Sequence, residues 1–313
     1  MFTIVLVPDC PAPLIWRKGE GWSYEKGGVT TGKNPAEQLE LARQLQAKKL
    51  YDDAATAYRR LLRRWPTSAA AADARIGLAE CLGARGYHYK AFLEYQQLIE
   101  KHPNTERFDE ILQREFEIGN LFFAGEKHKV WKLKVFPALD KAIEIFGKVV
   151  KNGPYSAVAP QAQFRLGLAL EKQKDYIGAV HAYEKLLERY PNHAQAEAAQ
   201  YQIGCAYSLE ASRAEYDQEA ANQAIAGFED FLTSYPQSDK VPLAEQRRDA
   251  LKLDQARGLF RIGQFYEKKK EYKAALIYYN EVIEQNPKSD WATAAKDKVA
   301  RLTSQAAEST SNP

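Results

Sequence analysis

The side chains that could carry chemistry in this chain are few and scattered. Five histidines stand at His88, His102, His128, His181 and His193, with no His-Glu-x-x-His pair and no carboxylate at a metal-ligand spacing beside them. His88 takes a place that tyrosine holds in equivalent segments and reads as a packed or solvated side chain. The three cysteines, Cys10, Cys81 and Cys205, form no Cys-x-x-Cys and are too few for a disulfide framework. Cys81 and Cys205 sit close to glycines in apolar stretches, so burial is expected of them rather than thiol reactivity. No glycine-rich loop that could cradle a phosphate appears. Catalytic residues, metal ligands and cofactors are therefore not expected, and the chain reads as non-enzymatic.

Recognition is better provided for. The segment Gly125 to Phe136, GEKHKVWKLKVF, alternates Trp131, Leu133 and Val135 with Lys132 and Lys134, a period of two that suits an extended segment and not a helix. Its four lysines face one acid, Glu126. Such a ribbon either lays its apolar edge on a partner strand or membrane interface, or folds Trp131 back over neighbouring chain while the lysines stay in water. Arg59, Arg60, Arg63 and Arg64, and Lys268 to Lys270, read as solvated helix faces and turns, with an acidic or lipid-headgroup partner as the alternative.

The composition narrows the partner class. With 313 residues, 27% charged, 45% hydrophobic and a mean hydropathy of −0.53, the chain is globular and long enough for two domains or one array. No run of 18 apolar residues is present, so no transmembrane helix is encoded. The 44 Lys and Arg against 41 Asp and Glu leave +3, too balanced for a protein whose affinity rests on neutralising phosphates, and nucleic acid is not an expected partner.

The elements that must hold these residues repeat six times. Ala54, Ala91, Ala142, Ala179, Ala224 and Ala275 are each followed four residues on by an aromatic (Tyr58, Tyr95, Phe146, Tyr183, Phe228, Tyr279). Eight residues later comes a proline: Pro66, Pro103, Pro154, Pro191, Pro236 and Pro287. Residues four apart share a helical face, so the alanine admits a neighbouring helix and the ring fills the space beside it. Twelve residues before the alanine stands a small residue, Ala42, Gly167 or Gly263, and Gly77, Gly119 and Gly204 are expected to play the same part across longer turns. Glycine in mid-helix costs about 1 kcal/mol against alanine, so its recurrence points to close helix crossing. Each unit is then a helical hairpin closed by a proline. After the prolines, Ser68, Thr105, Ser156, Ser238 and Ser289, and Asn192 after Pro191, are placed to cap the following helix.

This arrangement resembles the tetratricopeptide repeat family in its small residue, its alanine and aromatic, and its closing proline. It departs in its proline spacings of 37, 51, 37, 45 and 51 and in the large residues seven places after the alanine. The resemblance implies an all-α solenoid of about six hairpins over residues 35–302, since one hairpin cannot bury enough surface to offset its ordering entropy. A cap helix is expected from Ser289 and a disordered tail over 303–313. Asn120, after Gly119, holds a place that in some tetratricopeptide domains clamps a partner's C-terminal carboxylate. The equivalent places hold Arg43, Leu78, Leu168, Cys205 and Gln264, so the full clamp is lacking.

Residues 1–34 differ, with Gly and Pro punctuation, no helical period, and Trp16 and Trp22; they read as an extended leader. Phe2 to Val7 is either the tail of a secretion signal, with Cys10 the lipidated first residue of the mature protein, or part of an ordinary leader. Asp9 stands where a lipoprotein signal wants a small residue. The leader run PAPLIWRKGEGWSYE, the P-x-[ST] junctions and the long third repeat together resemble the BamD-like lipoproteins of outer-membrane β-barrel assembly. That resemblance implies a protein-binding scaffold tethered by lipid to the periplasmic side of the bacterial outer membrane. Its partners would be barrel-assembly subunits and unfolded outer-membrane clients. The other reading is a soluble periplasmic or cytoplasmic tetratricopeptide adaptor.

Overall fold

The computed structural model describes residues 14–17, 21–24, 31–125, 129–130, 133–134, 138–213 and 218–311. The helices among them pair in sequence: α1 (Pro35–Ala47) with α2 (Tyr51–Arg64), α3 (Ala70–Ala84) with α4 (His88–Lys101), and α5 (Phe108–Phe123) with α6 (Ala138–Asn152). Then come α7 (Ala159–Gln173) with α8 (Tyr176–Arg189), α9 (Ala196–Arg213) with α10 (Gln218–Ser234), α11 (Val241–Lys268) with α12 (Tyr272–Gln285), and a last α13 (Asp290–Ser311). The chain is a tetratricopeptide-type α-solenoid of six hairpins and a cap. It divides into two compact units, Met1–Ile118 with Lys127–Pro137 and Gly119–Glu126 with Ala138–Pro313. Within each, successive helices pack on one another, and the first helices α1 and α3 also touch.

Helix ends follow from local chemistry. At the start of α1, Asn34 Oδ1 accepts from the Glu37 amide at 2.9 Å while Glu37 Oε2 accepts from the Lys33 amide, one residue before the cap, at 2.9 Å, and Pro35 takes the first helical position. The second helices of four hairpins end at Trp65, His102, Tyr190 and Asn286, whose φ lies between −142° and −133°. Each precedes a proline, whose ring forbids it the helical conformation.

Two of the five hydroxyls after the prolines close the turn instead of capping the helix. Ser68 Oγ donates to the Trp65 carbonyl at 3.0 Å and Ser156 Oγ to the Gly153 carbonyl at 2.7 Å; the helices begin at Ala70 and Ala159 without a side-chain cap. Ser289, directly before α13, both closes its turn and accepts from the Ala292 amide at 3.1 Å. After Pro191 the expected role passes from Asn192 to His193, whose Nδ1 accepts from the Gln195 amide at 3.2 Å.

Inside four hairpins the turn uses a left-handed residue, Lys49 (φ 59°), Gly86 (φ 76°), Lys174 (φ 69°) or Lys270 (φ 61°). The next amide, of Leu50, Tyr87, Asp175 or Glu271, reaches back five residues to Leu45, Leu82, Leu170 or Tyr266. That bond caps the preceding helix in the Schellman manner.

The unequal proline spacings have plain causes. Between Pro103 and Pro154 the chain inserts β3 (Lys129–Val130) and β4 (Leu133–Lys134), an antiparallel pair joining α5 to α6. Before Pro287 the extra length is α11, 28 residues long where α7 has 15. In the leader, β1 (Leu14–Arg17) pairs antiparallel with β2 (Gly21–Tyr24), Trp16 opposite Trp22. Helix α13 runs to Ser311, through residues expected to be a disordered tail. Thr303 Oγ1 and Ser304 Oγ donate to the Val299 and Arg301 carbonyls, so these side chains are satisfied without leaving the helix.

Candidate binding surface

The repeat alanines and their aromatics form the core, every one at 3% exposure or less. A Cβ on Gly167 would sit 2.3 Å from the Tyr183 ring, on Gly119 2.6 Å from Phe146, on Gly263 2.7 Å from Tyr279, and on Gly204 2.8 Å from Phe228. In these hairpins the glycine of the first helix is the seat of the ring on the second. Gly77 departs from the expectation: its missing Cβ admits Tyr58, the ring of the preceding hairpin, at 2.3 Å. The α3–α4 turn is no longer than that of α1–α2, so register puts Ala79, fully buried, where Ala42 stands in α1.

A second regularity escaped the sequence reading. Tyr58 Oη donates to Gln46 Oε1 at 2.6 Å, Tyr183 Oη to Glu171 Oε1 at 3.1 Å and Tyr279 Oη to Glu267 Oε2 at 2.7 Å, in each case twelve residues back. The acceptor then engages the next first helix. Gln46 Nε2 donates to Glu80 at 2.8 Å, Gln202 Nε2 donates to Glu171 at 3.2 Å, and Glu267 accepts from Lys298 at 3.0 Å and from Arg301. Burial pushes the Glu171 carboxyl above its ordinary value, against the Tyr183 hydrogen bond. Burial acts the same way on Glu267, but the Tyr279 hydroxyl, Lys298 and Arg301 together hold it below. The signal was a Gln or Glu twelve residues before a repeat tyrosine. Gln38 and Gln163 were missed likewise; both are buried, and their Nε2 atoms donate to the carbonyls of Ala57 at 3.0 Å and Ala182 at 2.8 Å, nineteen residues on.

In the first unit these contacts border a cleft of about 490 Å³ lined by Arg43, Gln46, Lys49, Tyr58, Asp73, Glu80 and Arg107 among others. Arg43 pairs with Asp73 at 2.8 Å, and Arg107 and Arg114 approach Glu80 at 3.7 and 3.5 Å. The hydrogen bond from Arg107, with Arg114 beside it, holds the Glu110 carboxyl down to about 2. Alternating, half-exposed charges of this kind can meet the polar groups of an extended peptide. In the second unit, Tyr155 stands 99% exposed beside Pro154, Pro160, Arg189 and Tyr190, around a hollow of about 660 Å³.

Asn120 lies on α5 in the second unit, partly buried, its Oδ1 enclosed without a hydrogen-bond partner among the described residues. Cys81 and Cys205 are buried and free, and burial pushes the Cys81 thiol up to about 11 and raises that of Cys205. Cys10, Trp131 and Lys132 lie outside the described residues. Of the segment around Trp131, Lys129–Val130 and Leu133–Lys134 are extended and pair antiparallel, with Val130 opposite Leu133 and Lys129 opposite Lys134. Among the described residues no cluster of three or more His, Cys, Asp or Glu could hold a metal, and no helix is long and apolar enough to cross a membrane.

Hairpins of this geometry occur in many proteins, so kinship has to come from sequence. The family model YfiO, described as outer membrane lipoprotein, matches residues 137–310. The chain belongs to that family. Residues 39–105 match a tetratricopeptide repeat model. Over 144 residues the chain is 28% identical to outer membrane protein assembly factor BamD of Rickettsia prowazekii, covering 46% of this chain and 57% of that protein. Over 147 residues it is 25% identical to BamD of Caulobacter vibrioides, covering 47% and 48%. The chain thus spans about half the length of the curated relatives it matches. Among solved structures, the C-terminal part of a tetratricopeptide protein from Cytophaga hutchinsonii aligns with a TM-score of 0.38 at 17% identity, over 85% of this chain and 88% of that one. The MamA protein aligns with a TM-score of 0.37 at 17% identity, over 66% and 94%.

Proposed function

We propose that this YfiO-family chain is a non-enzymatic protein-binding scaffold in the assembly of β-barrel proteins into the bacterial outer membrane, held on its periplasmic side by a lipid on Cys10. The observation that carries this reading is the outer membrane lipoprotein match over residues 137–310, and the two BamD assembly factors support it. Its partners are barrel-assembly subunits and unfolded barrel clients, engaged through Trp131, Lys132, Leu133 and Lys134 and through Asn120. The place of Asn120 directly after Gly119, where some tetratricopeptide domains clamp a partner's C-terminal carboxylate, supports that placement. The paired backbone of β3 and β4 supports it too, because a short ribbon offers an edge to a partner strand.

Depleting the protein in cells and following folded barrel proteins in the outer membrane tests the reading. Barrel proteins should fall while lipoproteins and inner-membrane proteins hold; unchanged barrel levels would overturn it. Replacing Trp131 and Leu133 by Ser should lower partner capture and leave the melting midpoint in place. A lowered midpoint with full capture would assign the ribbon to packing instead.

A further inference from the structure

The last two turns of α2 carry Arg59, Arg60, Arg63 and Arg64. Nine arginines of the first unit have described side chains, and the other five are matched: Arg43 to Asp73, Arg75 to Glu94, Arg85 to Asp52, and Arg107 and Arg114 to Glu110. The four on α2 have no acidic partner among the described residues. They also stand in two like-charged pairs four residues apart, an arrangement that works against the helix. The negative end of the helix dipole compensates Arg63 and Arg64 in the last turn and does little for Arg59 and Arg60. Arg60 Nη1 is enclosed without an acceptor among the described residues, so part of its hydration is lost and none of them replaces it. A packed helix therefore holds four guanidinium groups that lack a counterion among the described residues.

The shape of the patch selects the counterion. Arg59, Arg63 and Arg64 are exposed along the outside of α2, and the 490 Å³ cleft includes none of the four. Guanidinium groups spread along an exposed helix side suit a plane of anions better than a single threaded chain. At its end the Arg64 guanidinium lies 4.6 Å over the half-buried Trp65 ring, and Arg beside Trp combines a phosphate ligand with a ring that prefers the headgroup layer. We infer that the Arg59, Arg60, Arg63 and Arg64 face of α2 binds the phosphate headgroups of an anionic bilayer surface. The inference stands on this helix face and is independent of the barrel-assembly reading.

Co-sedimentation of the purified chain, without lipid modification, with phosphatidylcholine vesicles that do or do not contain phosphatidylglycerol tests it. Binding should require phosphatidylglycerol and weaken as salt is added. Replacing all four arginines by Gln should lower the vesicle partition at least about tenfold without lowering the melting midpoint. Should that variant fail to fold, Arg59→Gln with Arg63→Gln, both exposed, should still lower it severalfold. A charge-matched control, Lys268, Lys269, Lys270 and Lys273 to Gln, should leave the partition within about twofold. An equal fall in the control, unchanged binding in the arginine variants, or capture of soluble poly-glutamate in place of vesicles would each overturn the inference.

Discussion

Two glutamates at the same repeat position respond to acid in opposite senses. Glu171 and Glu267 each accept from a buried tyrosine twelve residues on, but Glu267 also has Lys298 and Arg301, whereas Glu171 has, among the described residues, the Gln202 amide. Glu171 keeps its proton in the folded chain above the ordinary 4.5, so between 4.5 and that raised value the folded state holds more protons than the unfolded one. Its contribution to stability falls as pH rises through that window and is constant above. Glu267 is depressed, so its stabilising ion pairs are complete above 4.5 and are lost as pH falls below it. Urea melts across pH should show Glu267→Gln less stable at neutral pH and less acid-labile than the parent. Glu171→Gln should abolish a gain that the parent shows on acidification. The glycines divide by their surroundings in the same way. Gly167→Leu would drive a side chain into the Tyr183 ring and should cost about 1–3 kcal/mol. A Cβ at Gly83 or Gly147 meets nothing within 4 Å, so Ala there should add about 0.5–1 kcal/mol by helix propensity alone.

At the scale of elements, the hairpin turns carry a removable strain. Lys49, Lys174 and Lys270 adopt a left-handed conformation that Gly86 adopts without cost in α3–α4. Lys174→Gly should raise stability by about 0.5–1 kcal/mol net of the glycine's added unfolded entropy, read as a higher thermal midpoint. These turns also show why some elements were legible and others not. Each second helix stops before its proline because proline acts on the one residue ahead of it, and the alanine–aromatic pair is legible because both members lie on one helix. The partner of each small residue is a tertiary matter: Gly77 serves Tyr58 and not Tyr95, a choice made by helix stacking. The tyrosine acceptors Gln46, Glu171 and Glu267 were hidden for a related reason, since a polar residue near a helix end ordinarily signals solvent. The extended pairs 129–130 and 133–134 were legible through the alternation of the segment, while their antiparallel register depends on strand pairing.

At the scale of the molecule, α13 closes the second unit. Trp291, Ala295, Val299 and Leu302 cover Phe260 and Tyr279, and Lys298 and Arg301 tie it to Glu267. Leu302→Ala, at 2% exposure, should cost about 2–5 kcal/mol and loosen the last hairpin first, as faster amide exchange in α11 and α12 would report. Among the candidate binding residues, Trp131, Lys132, Leu133 and Lys134 stood out by their alternation, whereas Asn120 stood out only by its place beside Gly119. The most direct test of the scaffold in barrel assembly is affinity purification of the tagged full-length protein from detergent-solubilised membranes, with a Cys10→Ala variant beside it. The scaffold reading predicts recovery from the membrane fraction together with a β-barrel outer-membrane protein, and release of the Cys10→Ala variant to the soluble fraction. Recovery of the unmodified protein only from the soluble fraction, with no β-barrel protein bound, would contradict it.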